Sequence, residues 1–176
     1  MRNGEFSERT NSYSRAELID IIEYPEEGKA ILLFSVEDWG EDYVLPICID
    51  SSISFSIRKA LENIPFPRPL THDLLVNILE KLDVTVEKVT IDAMIGNIYV
   101  ATIVLKDNRT NMVFHIDARP SDATAIAVRT GAPIYIANHL KKYAQPYSYY
   151  KRLKILLREG LRTRRTIGTE EEEEEK

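Results

Sequence analysis

The sequence predicts an α+β fold: a single compact domain with a mostly antiparallel or mixed β-sheet packed by helices, followed by a basic C-terminal helix and an acidic tail expected to be disordered. Three observations predict it. Short runs rich in Val, Ile, Thr and Tyr are separated by Gly, Asn and Asp turns. Two proline-marked helix starts interrupt those runs. Beyond His139 the texture changes to tyrosines, basic residues and then glutamates.

The elements follow in order. Residues 1–14 are polar and without period, and are expected to form a flexible leader. "AELIDIIEY" (16–24), "KAILLFSVED" (29–38) and "DYVLPICID" (42–50) read as strands, the last two as an antiparallel pair, with Pro46 placing its strand at an edge or a bulge. "SSISFSIRKALEN" (51–63) reads as a helix capped at Asp50, Ser51 or Ser52, burying Ile53, Ile57, Ala60 and Leu61 and leaving the serines mostly outside that stripe. After the rigid connector "IPFPRPL", Thr71 is the expected cap of a second helix that buries Leu75, Ile78, Leu79 and Leu82 and carries Asp73 in its first turn.

Three strands come next, at 84–94, 97–106 and 111–118, joined by connections short enough for antiparallel neighbours. A third helix runs from about Ser121 to Thr130, with Ala123, Ile126, Ala127 and Thr130 on one face and Gly131 as a left-handed terminator. "PIYIA" supplies a short strand. "QPYSYYKRLKILLREG" then reads as a helix with a stripe at Tyr149, Leu153, Leu156 and Leu157. The expected organisation is a leader (1–14), a domain (15–140), a basic extension (141–165) and an acidic tail (166–176).

Composition narrows the function classes. The chain has 176 residues, 44% hydrophobic and 29% charged, and lacks both a membrane-length apolar run and a signal-peptide pattern, so a soluble, cytoplasmic protein without a membrane partner is expected. Cys48, the one cysteine, is read as a small core residue. Net charge is -5, yet residues 141–165 hold nine basic residues and one acidic, while Glu170 to Glu175 make the tail acidic. A nucleic-acid interface built on charge would therefore rest on Tyr149, Lys151, Arg152, Lys154 and Arg158, with tyrosines stacking bases and cations holding phosphates; the same tyrosines could instead pack a dimer. Zinc-ligand spacing, a Walker loop, a dinucleotide glycine motif and a nucleophile elbow are all missing from the sequence.

Two segments share a grammar. "FPRPLTHDLL" sets Arg68 before Pro69 and Asp73 in the next turn; "DARPSDATAI" sets Arg119 before Pro120 and Asp122 in the next turn. One explanation is structural: proline fixes the helix start, and arginine clamps the connector or pairs with aspartate. The other is functional. A guanidinium fork and exposed helix N–H groups receive phosphate, and carboxylates hold a divalent ion that activates water. On that reading, if the two segments meet in space, Arg68, His72, Asp73, Asp117, Arg119 and Asp122 line one cleft. His115 shares a strand face with Val113 and Asp117, and His139 carries little signal.

"FPRPLTHDLLVNILEKL" and "DARPSDATAIAVRTGAPIYI", in this order and at this separation, resemble the paired signature of the bifunctional nuclease domain family, over about Ala16 to Leu140. The resemblance implies a compact α+β domain, homo-oligomeric with a dimer favoured, and cleavage of DNA and RNA. It directs attention to Arg68, Pro69, Thr71, His72 and Asp73 in the first motif and to Asp117, Arg119, Pro120, Ser121 and Asp122 in the second. The chain departs from the family where Ser51, Ser52, Ser54 and Phe55 replace a glycine-, glutamate- and alanine-containing helix opening, and where Thr124 replaces an aliphatic residue. The expected mechanism is hydrolysis assisted by magnesium or manganese. Asp117 and Asp122 are candidate ligands or water-orienting groups, Arg68, Arg119 and Ser121 bind phosphate, and His72 moves a proton beside Asp73.

Overall fold

A computed structural model of the protein describes residues 12–159. The elements are β1 (Tyr13–Tyr24), β2 (Lys29–Val36), β3 (Tyr43–Asp50), α1 (Ser51–Leu61), α2 (Thr71–Lys81), β4 (Val84–Ile95), β5 (Ile98–Asp107), β6 (Val113–Ala118), α3 (Pro120–Thr130), β7 (Ile134–Ala137), β8 (Gln145–Pro146) and a final helix, α4, at 147–159. One mixed sheet runs β6-β5-β4-β7-β1-β2-β3-β8. It consists of two antiparallel meanders, β1-β2-β3 and β4-β5-β6, joined by β7, which is antiparallel to β1 and parallel to β4. β1 begins at Tyr13, inside the segment expected to be leader, because Tyr13 to Ala16 pair with Ala137 to Ile134. Pro46 is tolerated because β8 pairs only with Tyr43 and Val44, so the missing N–H falls beyond the second ladder.

Helices α1, α2 and α3 cover one face. Phe34, Leu45, Ile91 and Ile103 from the sheet, Ile57 from α1 and Ile126 from α3 form the main core. Ala123, Ala125 and Ala127 are all buried, since methyl side chains let α3 approach the strands closely. Thr124 is also fully buried, and its hydroxyl donates to the Pro120 carbonyl (2.7 Å), so the departure from an aliphatic residue leaves no unsatisfied group. Pro120 opens α3, and Gly131 ends it at φ 69°, as the sequence led one to expect. Nothing lies within 4 Å of a Cβ placed on Gly131, so only backbone strain opposes a side chain there. Gly131→Ala should cost roughly 1 kcal/mol in denaturant unfolding.

Three helical faces differ from the periodicity argument. In α1 the buried residues are Ser54 (0%), Ser56 (5%) and Ile57, while Leu61 is exposed. The serines are buried because each has a polar partner: Ser54 Oγ donates to Glu23 (2.9 Å), and Ser56 joins the network described below. In α2 the buried residues are His72 and Val76, whereas Leu75, Ile78 and Leu82 are exposed, because the helix is rotated to turn His72 and Asp73 toward α1 and α3. Thr71 is the first helical residue instead of the cap; the Asp73 carboxylate accepts from the Leu70 N–H (2.8 Å) and satisfies that end.

The opposite face is covered over β1, β2 and β3 by α4, which packs Tyr150, Leu153 and Leu157 on Ile22, Leu33 and Val44. Tyr149 and Leu156, expected in the buried stripe, are exposed, and Tyr150 takes their place. β2 is thus buried on both sides, consistent with its unbroken apolar run "AILLF". Cys48 is exposed, a correction to its reading as a core residue: it alternates with the buried Ile47 and Ile49. Among the described residues no helix is long and apolar enough to cross a membrane. The acidic tail, most of the leader and the end of the basic extension lie outside the described residues.

Candidate functional site

The two helix-start motifs meet. α2 and α3 lie side by side, and His72 Nε2 stands 3.1 Å from Asp122 Oδ1. The other ring nitrogen, Nδ1, is 3.0 Å from Ser56 Oγ in α1. Arg119 Nε donates to Asp122 Oδ2 at 2.7 Å. A row of polar groups therefore runs from the interior to the surface through Ser56, His72, Asp122 and Arg119. Only the last is open, its side chain 65% exposed.

Behind this row Asp73 is locked. Oδ2 accepts from Lys59 Nζ (2.8 Å) and from the Leu70 N–H, and Oδ1 accepts from Arg129 Nε (2.7 Å). Arg129 is the buried hub, its side chain only 6% exposed: Nη1 donates to the Ala125 carbonyl (2.8 Å), and Nη2 to both the carbonyl (3.0 Å) and the hydroxyl (2.9 Å) of Ser56. Ser56 Oγ accepts from Arg129 and keeps its own proton and a second lone pair, so it can either donate to or accept from His72 Nδ1, while Nε2 faces Asp122.

Electrostatics follows from these contacts. Burial raises the Asp73 pKa, but the hydrogen bonds from Lys59, Arg129 and the Leu70 N–H outweigh it and hold the carboxyl far below its ordinary value. For Asp122 burial again raises the pKa, and the bonds from Arg119 and His72 prevail, leaving it lowered. The order Ser, His, Asp is the order used by serine hydrolases. Here, however, Ser56 is buried in mid-helix and held by Arg129, so it orients His72 instead of reaching a substrate.

Other predicted site residues are elsewhere. Arg68 is exposed in the connector, without an ion pair or hydrogen bond among the described residues. Ser121 is buried in the first turn of α3. Asp117 is separated from Asp122 by the sheet: it pairs in register with Thr102, and Thr102 with Thr90, whereas the alternating Ala101, Ile103 and Ile91 enter the core under the helices. Directly opposed residues share a face, so Asp117 and His115 belong to the side away from α3. The sheet between them keeps Asp117 and Asp122 from chelating one metal ion in this arrangement. Among the described residues no group of three or more His, Cys, Asp or Glu is placed to hold a metal.

On α4, Tyr149, Lys151, Arg152 and Arg158 are exposed, while Lys154 forms an ion pair with Asp20. The network residues missed by sequence reasoning are Ser56, Lys59 and Arg129. Arg129 had one usable signal: it follows Asp122 by seven residues, two helical turns on the same side of α3.

Residues 32–147 match the bifunctional nuclease domain. An uncharacterized protein of Mycobacterium tuberculosis is 32% identical over 115 residues, 65% of this chain and 65% of that protein. Bifunctional nuclease 1 of Oryza sativa subsp. japonica is 31% identical over 106 residues, 60% of this chain and 32% of the nuclease. Bifunctional nuclease 2 of Arabidopsis thaliana is 28% identical over 110 residues, 62% and 33% respectively. The chain thus spans about two thirds of the mycobacterial relative and a third of the plant nucleases. The matched region contains both helix starts and every side chain of the network that joins them, and on that match the chain belongs to the bifunctional nuclease domain family.

Proposed function

We propose that the chain is a nuclease, hydrolysing phosphodiester bonds of DNA or RNA in the cytoplasm at the surface end of the His72–Asp122–Arg119 row. The supporting observation is the junction of the two motifs, His72 Nε2 to Asp122 Oδ1, in a protein of this family. Arg119 offers the outer nitrogens of its guanidinium to a phosphate at the start of α3, where helix N–H groups add positive potential. Asp122, a weak base because its pKa is lowered, orients the attacking water, and His72 behind it carries the proton relay. As water bonds to phosphorus its proton passes to the Asp122–His72 pair, the ester P–O bond breaks and the leaving oxygen takes a proton from solvent. Asp73 positions this apparatus through Arg129. Magnesium or manganese enters as a condition of the assay, and no step is assigned to it.

The test is turnover of end-labelled single-stranded DNA and RNA with magnesium, manganese or chelator. Arg119→Ala should lower turnover by about 10²-fold, as loss of a transition-state donor does, with an unchanged melting curve. Equal cleavage by the folded variant would remove Arg119 from the site and attribute the activity to another location or to contamination.

Two other readings have their own support. A non-catalytic homo-oligomeric domain, most simply a dimer, is supported by the pairing of Asp122 with His72 and Arg119 and by exposed apolar residues on α2 and on the edge strand, Phe114 and Ile116; it predicts sedimentation as a dimer without cleavage. Nucleic-acid binding through α4 is supported by exposed Tyr149, Lys151, Arg152 and Arg158. Replacing those three cations by alanine should flatten the salt dependence of single-strand affinity by about 0.7 per lost phosphate contact. An unchanged slope would take α4 out of the interface.

A further inference from the structure

The part of the sheet that α4 leaves uncovered holds a cleft of about 580 Å3 on the side away from α1, α2 and α3. Register fixes its floor. Lys88, Val104 and His115 form one cross-strand row; Tyr135, Thr90, Thr102 and Asp117 form the next. Past that row a bulge in β4 between Ile91 and Ala93 carries Asp92, whose Oδ1 accepts from the Tyr13 hydroxyl (2.9 Å) and Oδ2 from Thr102 Oγ1 (2.7 Å). The Tyr13 pKa is pushed up to about 12, by burial first and then by the Asp92 hydrogen bond and charge, so this hydroxyl remains a donor at neutral pH.

The cleft has two chemically different ends. At one, Lys88 and His115 flank the buried Val104 and form no ion pair among the described residues. At the other, the Asp92 carboxylate is held by two hydroxyls, each oxygen keeping acceptor capacity. Tyr135 lines the side. We propose that this cleft binds a nucleoside monophosphate, with its phosphate on Lys88 and His115, the amino or imino donors of its base on Asp92, and its ring against Tyr135. Inorganic phosphate would use only the first contact and a nucleoside only the other two. The charge of Lys88 is offset by that of Asp92 in the same cleft, which suits a single phosphate and disfavours a polyanionic strand. The sheet separates this cleft from Arg119 and Asp122, and the inference stands whether or not the chain cleaves nucleic acid.

The test is calorimetric titration of the full chain, in chelator, with the four common nucleoside monophosphates, and with phosphate and nucleosides as competitors. Saturable one-to-one binding is expected for at least one nucleotide, weakened about tenfold or more by Lys88→Gln and by Asp92→Asn, and unchanged in Arg119→Ala. Because Asp92→Asn also disturbs Tyr13, the exposed Lys88→Gln variant, checked by melting, decides. Absence of saturable binding at about 1 mM, the weakest affinity of interest, overturns the proposal. So does binding indifferent to Lys88→Gln, binding lost equally in Arg119→Ala, or Lys88-dependent binding that favours an oligonucleotide over every mononucleotide. Cleavage lost in Arg119→Ala with nucleotide binding intact separates the two sites.

Discussion

Asp73→Ala should be among the most destabilising single substitutions in the chain, by about 3–5 kcal/mol, the range for removing one partner of a buried ion pair. Arg129 would keep its two carbonyl acceptors and Ser56 but lose its counter-charge in a site that admits little water; Lys59 and the Leu70 N–H would lose an acceptor as well. For a chain of this size the melting temperature should fall by roughly 10 °C. The pH dependence has a definite sign. The folded carboxyl titrates below its unfolded value, so its stabilisation is fully present above the unfolded pKa, about 4, and is lost as pH falls through the folded value. Chemical denaturation between pH 7 and pH 3 should show a steeper loss for the parent protein than for Asp73→Asn. Parallel curves would mean that the ion pair contributes no net stability.

The second large effect is expected in turnover. His72→Gln retains a polar side chain in the row but not the ring that spans Ser56 and Asp122. On the proposed function it should reduce cleavage on the order of 10²-fold, while costing about 1–2 kcal/mol in stability for disturbed hydrogen bonds. Rates across pH distinguish the roles. A relay makes the parent profile depend on an ionisation that the variant lacks, whereas a purely structural histidine leaves the shape of the profile unchanged. Full activity in a folded His72→Gln would confine the chemistry to Arg119 and Asp122.

Much of the backbone was legible because its signals are local. Alternation marked the strands, Pro120 and Gly131 bounded α3 almost to the residue, and short polar connections paired β4, β5 and β6. Which face of each element is buried was less legible. Apolar periodicity points Leu75, Ile78 and Leu82 of α2 inward, but the polar network rotates the helix to bury His72 beside Ser56, and it is the buried serines that a hydrophobicity argument discards. The candidate site was legible in part for the same reason. His72 and Asp122 are joined, as motif pairing suggested, while Asp117, two residues before Arg119, is carried to the other side of the sheet by strand alternation. Alternation was visible in the sequence; which side the helices cover was not. Arg129, Tyr13 and Asp92 owe their positions to partners 56 and 79 residues away, and no local pattern announces those.

In the strand ladder the sheet's two meanders are joined through β7, four residues long, and its pairing of Tyr13 with Ala137 joins opposite ends of the domain. Each meander is made of neighbours in sequence and can assemble on its own timescale; their union is a long loop closure that comes late. During synthesis the amino-terminal meander emerges first and waits with the unpaired edge of β1 exposed until residue 137 has left the ribosome. β7 is thus the keystone of an assembly process as well as a strand, and the interval before it arrives is when the nascent chain is most open to pairing with the wrong edge.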